Sequence, residues 1–483
     1  MKYLVITIAV ICFLSCVSDH KKSGNKLLSI SDNGRYIVNK EGKPFLYLGD
    51  TAWELFHKLD REEAVEYLAN RAEKGFTVIQ AVVLAELDGL RTPNALGELP
   101  LIDLDPTKPK EKYFEHVDFI VNKAEELGLF IGMLPTWGDK VPNVIGGEGP
   151  VVFTPENARI FGEFLGKRYK DKPIIWILGG DRNVDNETAY LIWKNMAEGL
   201  RAGDGGRHLI SYHPRGVHSS SYWLHNEEWL DFNMYQTAHF HRYQKVYEHA
   251  MNDYSLSPVK PTVEAEPAYE DIGMEFWTFE EWRNDPEVRN ALFDSDNLVK
   301  NREFFKKGFF TDYDVRVHAY WDLLSGACGY TYGNNAVWQM FKKGNKVVIP
   351  CLYDWRESLD RPGANQIRHI RKLFEQRNFS TLVPDQSAIY GKNYKDDNHI
   401  RAAVASDASF LIAYMAQGQP VTIVMKKIEG PKLKAWWYDP RIGEASFIGE
   451  FDNERFQTFE PPSTGVNNDW VLVLDNSQNT TLK

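Results

Sequence analysis

Cysteine is scarce in this chain. Of 483 residues only four are cysteines, and two of these, Cys12 and Cys16, fall in an apolar N-terminal stretch, which leaves Cys328 and Cys351 for the body of the protein. Two thiols make no disulfide scaffold, so stability must come from an apolar core, and the pair is expected as free thiols. Positive charge is short as well: 56 Lys and Arg against 67 Asp and Glu give a net charge of -11, which argues against a nucleic-acid or anionic-membrane surface. No low-complexity tract or long internal repeat is present, and with 43% hydrophobic residues disorder is set aside. The common peptidase signatures are missing too: there is no His-Glu-x-x-His helix, no Gly-x-Ser-x-Gly elbow and no matched Cys-His pair.

Aromatic residues, by contrast, are abundant, with 14 Trp and 23 Tyr. Flat aromatic faces suit sugar rings, although they fill cores equally well. At the N-terminus Lys2 precedes an apolar run over residues 3–15, too short to span a bilayer as a stable helix, which reads as a secretion signal. Its end, Phe13-Leu14-Ser15-Cys16, resembles a bacterial lipoprotein box, with Cys16 lipidated; ordinary cleavage nearby is the alternative. Residues 17–26 read as a polar tether. The expectation is an exported lipoprotein, periplasmic or associated with the outer membrane, that meets the membrane only through its lipid.

From Phe45 onward, short runs rich in β-branched and aromatic residues alternate with segments of helical spacing, the pattern of repeated βα units. Eight strands are expected: FLYLGDTAW from Phe45, FTVIQAVVL from Phe76, LFIGMLPTW from Leu129, IIWILGGDRN from Ile174, HLISYHP from His208, DFNMYQT from Asp231, PTVEAEPAYE from Pro261 and GACGYTYGNN from Gly326. Eight such units close into a (β/α)8 TIM barrel whose reactive groups sit at the C-terminal strand ends. A doubly wound sheet is the rival, but the first turn, Gly49-Asp50-Thr51-Ala52-Trp53, lacks a glycine-rich phosphate loop. Near Pro384 the composition changes to short strands between Gly, Asp and Asn turns, as in a small all-β sandwich. The α/β chain thus divides into a signal and tether over 1–26, a barrel over 27–383 and a β-sandwich over 384–483. The last either buttresses the barrel or binds glycan.

Hydrolysis of a glycosidic bond needs two carboxyl groups flanking it. The fourth strand ends in Asp181, and the seventh carries Glu264-Ala265-Glu266-Pro267. Asp181 alone reads equally as a helix cap or an ion pair, but acids at strands four and seven occupy nearby arcs of one rim. Alternation points Glu264 and Glu266 the same way; Glu266 is nearer the mouth, and Pro267 ends the regular pairing. Glu266 is therefore taken as nucleophile, Glu264 as a buried partner or substrate ligand, and Glu270 as loop structure.

GDTAW at Gly49, WILGGDRN at Trp176, VEAEPAYE at Val263 and RVHAYWDLLSGACGYTYGNN at Arg316 together resemble the apiosidase-like barrels of glycoside hydrolase family 140 over most of the chain. AWWYDPRIGE at Ala435 resembles a small β domain that carries a collagen-binding label. The resemblance implies an Asp acid/base after the fourth strand and a Glu nucleophile after the seventh, matching Asp181 and Glu266, and release of apiose from pectin side chains. In the larger clan of barrel glycosidases the fourth strand usually ends in Asn-Glu; here Gly180-Asp181 stands there, so a shorter acid must approach the leaving oxygen from closer in. Retention of configuration is expected, with the carboxyls roughly 5 to 5.5 Å apart. Asp181 must then start protonated, so Arg182 is expected to point away from it.

Other strand-end polar residues are candidates for the sugar subsite: Asp50, Trp53, Gln80, Trp137, His213, Tyr235, Gln236, His239, Tyr269, Tyr332 and Asn334. Trp53 and Trp137, each taken singly, read first as core, and Asp50 has an alternative reading as a helix cap. His239 and His241 have metal-ligand spacing, but no third ligand stands at a recognised distance, and no metal or cofactor is expected. The insert over residues 86–112 could wall the pocket. The predicted partner is an oligosaccharide or polysaccharide, with a noncatalytic glycan-binding lipoprotein as the rival function.

Overall fold

The eight apolar runs all form parallel strands, almost wholly buried, as a sheet covered on both faces requires. The structure, a computed structural model, describes residues 27–147, 149–278 and 307–476; the expected export signal and tether, with Cys16, lie outside them. The strands are β1 (Tyr47–Thr51), β2 (Val78–Leu84), β3 (Phe130–Thr136), β4 (Ile174–Gly179), β5 (Ile210–His213), β6 (Asn233–Gln236), β7 (Thr262–Glu266) and β8 (Gly329–Tyr332). They lie in the order β5-β4-β3-β2-β1-β8-β7-β6, and a short strand, His218–Ser219, adds antiparallel to β6. The two ends approach without a ladder: Asp231 N–H donates to Ile210 O at 2.9 Å and the Ser211 hydroxyl to Phe232 O at 2.7 Å. The result is a nearly closed, barrel-like sheet.

Between the strands run α1 (Arg61–Glu73), α2 (Glu111–Glu126), α3 (Pro155–Tyr169), α4 (Glu187–Asp204), the single turn α5 (Ser221–Leu224), α6 (Val246–Tyr254), α7 (Asp312–Leu323) and, after β8, α8 (Pro362–Glu375). Local chemistry sets several ends. Asp60 and Glu63 form a capping box on α1, Thr154 and Asn157 one on α3, where Pro155 takes the first turn, and α4 stops at left-handed Gly205. Among the described residues no helix is long and apolar enough to cross a membrane.

The C-terminal region is all antiparallel: a six-stranded sheet, Leu382–Pro384, Ile400–Ala405, Phe410–Met415, Trp470–Asn476, Lys432–Asp439, Glu444–Asp452 in spatial order, with a two-stranded sheet, Val421–Val424 and Phe456–Phe459. Period-two alternation gives the large sheet two jobs. Leu411, Ala413 and Met415 join a core shared with Ile423 and Phe459 of the small sheet, whereas Ile412 and Tyr414 join the barrel's core. The expected sandwich is therefore unequal, and its larger layer is covered on the far side by barrel helices. Tyr320 of α7 stacks on Tyr414 with centroids 4.7 Å apart. Cys328 and Cys351 are buried and unpaired.

Candidate active site

The stretch after β4 leaves the sheet through three consecutive positive φ angles, +86° at Gly179, +102° at Gly180 and +51° at Asp181. A Cβ on Gly179 would stand 2.3 Å from His213 O, and one on Gly180 2.8 Å from the Trp137 ring. Only glycines fit this turn. Asp181 has no such freedom; its left-handed backbone is a strained conformation held by its surroundings, including an N–H bond to His213 Nδ1 at 3.4 Å.

Glu266 ends β7, beside a register shift against β6. His213 Nε2 lies 3.3 Å from one of its carboxylate oxygens and His239 Nε2 3.4 Å from the other. Each imidazole has its Nδ1 engaged as acceptor, from Asp181 N–H and from Tyr269 N–H respectively, which leaves the proton on Nε2 facing Glu266. Beneath, fully buried Glu264 accepts from the N–H groups of Thr237 and Glu266, each at 3.2 Å. Burial, reinforced by Asp322, pushes the Glu264 pKa well above the carboxylate range, so it is a neutral support.

Asp181 and Glu266 line one cavity of about 550 Å³ at the C-terminal mouth of the sheet. Their environments drive their pKa values apart. Burial and then the Glu266 charge raise Asp181 to about 6, against the opposing pull of Arg182 and His213. For Glu266 burial acts upward, but the adjacent His213 and His239 imidazoles prevail and hold it at about 2. The site therefore carries one protonated and one ionised carboxyl between those values, the division of labour that acid-assisted nucleophilic substitution needs. Burial and the neighbouring Glu266 also push the Tyr269 phenol well above its ordinary value, so it keeps its proton.

One expectation is corrected here. Arg182 does not point away from Asp181: its Nη1 is 3.5 Å from Asp181 Oδ2, because the guanidinium is anchored on the carbonyls of Asp181 and Gly146. Burial and Glu266 outweigh it.

Of the candidate subsite residues, Trp53, Trp137, Gln236, His239 and Tyr269 line the cavity. His213 sits below them, edge-on to Trp53 at 5.2 Å between ring centroids. Five candidates lie elsewhere, because each spends its polar group inside the protein. Asp50 is neither subsite nor cap but a buried partner of Arg71 (2.6 Å) and the Tyr67 hydroxyl (2.5 Å). Gln80 donates to Thr331 Oγ1 at 2.7 Å, Tyr235 to Asp322 at 2.8 Å, Tyr332 to Glu270 at 2.6 Å, and Asn334 to Asp271 at 3.0 Å. Of the insert after β2 only Glu86 reaches the cavity; Phe276, Trp277, Val348 and Ile349 supply walls from the loops after β7 and β8.

Glu86 itself escaped the sequence reading, although it follows β2 by two residues, the same signal that marked Asp181. Burial, followed by Glu54, Asp139, Asp181 and Glu266, pushes its pKa well above the carboxylate range. It is a third, protonated carboxyl in the site.

A barrel-like sheet with two strand-end carboxyls split in this way is the equipment of a glycosidase, and comparison with known proteins agrees. Residues 31–381 match the profile described as "Apiosidase-like, catalytic domain", and residues 383–475 that of the "Putative collagen-binding domain of a collagenase". The chain belongs to the Apiosidase-like family and is a glycosidase. It is similar to a solved structure described as a glycoside hydrolase, at 31% identity and a TM-score of 0.81 over 94% of this chain and 98% of the other. A second, described as a glycoside hydrolase family 5 protein from Bacteroides vulgatus ATCC 8482, is 30% identical with a TM-score of 0.80, covering 95% of each. No curated protein matches the chain.

Proposed function

We propose that this glycosidase is a retaining enzyme that removes a terminal, apiose-like sugar from plant pectic glycans, with Asp181 as acid/base and Glu266 as nucleophile. The observation that carries this reading is the opposite displacement of two pKa values on one cavity wall, to about 6 and about 2. In the first step the Glu266 carboxylate attacks the anomeric carbon while Asp181 gives its proton to the departing oxygen. The glycosyl ester that forms carries no charge at Glu266, so the repulsion that raised Asp181 vanishes and its pKa falls. Asp181 then takes a proton from water, which attacks the same carbon from the face the leaving group vacated and displaces the Glu266 carboxylate; two inversions give retention. Trp53 and Trp137 offer aromatic surface to the ring, and His213 and His239 hold the nucleophile ionised and in place.

The sugar and its source are supported by the family to which the chain belongs. The test is release of monosaccharide from apiose-bearing pectin side-chain oligosaccharides: the wild type should release it, and Glu266→Gln and Asp181→Asn should each slow release by about 10³-fold or more. Activity preserved in Glu266→Gln excludes that residue as nucleophile, and an inverted anomer in the first-formed product, read by NMR, excludes retention. Export as a lipoprotein acylated at Cys16 belongs to the same proposal and rests on the N-terminal sequence; mass spectrometry of the mature N-terminus tests it.

A further inference from the structure

A second cavity, about 740 Å³, adjoins the first. Val217 and Phe240 line both. From them it extends along the loop after β6, past Tyr243 and Gln244, to a loop of the β domain that contributes Lys395, Asp396 and Asp397. The backbone at the junction is strained: Val217, a β-branched residue, has φ of +60°, and Ala238 has φ of +59°. Such angles persist where surrounding structure over-determines them, typically at binding sites. Thr237 and Gln244 are among its lining residues, and the side-chain oxygen of Gln244, a residue 7% exposed, has no hydrogen-bond partner among the described residues. Buried polar atoms in folded proteins are rarely left so. The lining thus mixes aromatic faces, neutral hydrogen-bonding groups and charges of both signs, a surface for hydroxylated rings and a poor one for an acyl chain.

We propose that this cavity is a leaving-group subsite. It receives the sugar residues that remain on the far side of the scissile bond, and it makes the β domain, through Lys395 and Asp397, part of the substrate-recognition surface. The proposal rests on the glycosidase reading of the adjoining cavity, which holds the sugar to be released; the continuity through Phe240 gives the rest of the glycan its path.

The test uses the whole protein and the double variant Lys395→Ala/Asp397→Ala, whose positions lie on the β domain and not on the cavity that holds the carboxyls. Two substrates are compared: the 4-nitrophenyl glycoside of the released sugar, which has no sugar to place in the second cavity, and the apiose-bearing pectic oligosaccharide. The variant should hydrolyse the aryl glycoside within about twofold of the wild type and lose about tenfold in kcat/KM on the oligosaccharide, mostly through KM, the size expected for losing one hydrogen bond to a charged group. Calorimetric titration of the oligosaccharide into Glu266→Gln protein, with and without the double change, should show the same tenfold weakening. Equal losses on both substrates, unchanged values on the oligosaccharide, or no binding of it at all would overturn the subsite. If the wild type binds the oligosaccharide without cleaving it and the double change still weakens that binding, the hydrolytic assignment fails and the subsite stands.

Discussion

Two histidines set the character of Glu266. Because His213 and His239 each turn Nε2 toward its carboxylate while backbone amides occupy their Nδ1 atoms, the Glu266 carboxyl stays ionised down to about 2. The sign of the pH dependence follows. In the proposed mechanism the active form has Glu266 ionised and Asp181 protonated, so kcat/KM should be bell-shaped, falling below about 2 and above about 6. Replacing His239 by Ala removes one donor, and the acid limb should move upward by about one pH unit while the alkaline limb stays near 6; an unmoved acid limb in the pH-rate profile would show that His239 does not control Glu266. Glu86 supplies a second residue-level expectation. A protonated carboxyl facing the cavity donates a hydrogen bond as an amide does, so Glu86→Gln should keep KM within about threefold, whereas Glu86→Ala should raise it about tenfold. Steady-state kinetics of the two variants separates this donor role from one that requires a charge.

The turn that carries Asp181 is positioned by the elements beside it. Helices α3 and α4 pack glycine to backbone: a Cβ on Gly162 would meet Met196 O at 2.5 Å, and one on Gly199 would meet Arg159 O at 2.2 Å. This close approach fixes α4, which follows the Asp181 turn directly. Gly199→Ala must push the helices apart, and the expected cost is about 2 kcal/mol of stability, measured by denaturant unfolding. At this scale much was legible. All eight strands stand where apolar spacing put them, because period and punctuation are local properties of the chain. What local pattern could not separate was a strand-end polar residue that faces the mouth from one that faces a neighbour. Asp50 and Asp181 both end strands in similar contexts, yet Arg71, 21 residues on, claims the first and solvent reaches the second. Glu86 carried the strand-end signal as well, but it opens the insert over residues 86–112 and reads from the sequence as part of that loop.

The whole molecule is held together across its two regions by buried charge as well as by a common core. Arg316 of α7, 1% exposed, makes five hydrogen bonds, to Asp312, Gln366, Asn467 and, through two of them, Asp469 at 2.8 Å. Removing the guanidinium strands the buried Asp469 carboxylate, so Arg316→Ala should cost about 3 to 5 kcal/mol. Because Tyr414 and Ile412 belong to the barrel's core, the wild type should melt in a single calorimetric transition, and two resolved transitions would contradict this shared core. The linear chain settled the strands, the principal helices and the addresses of two strand-end acids, since each depends on residues a few positions apart. Folding alone settled which acid keeps its proton, which tautomer each histidine adopts, which rim residues meet the cavity, and how the β domain comes to border a second one. Those outcomes depend on distances and burial among groups tens to hundreds of residues apart, because Coulomb and hydrogen-bond energies respond to the spatial separation and local dielectric that folding creates.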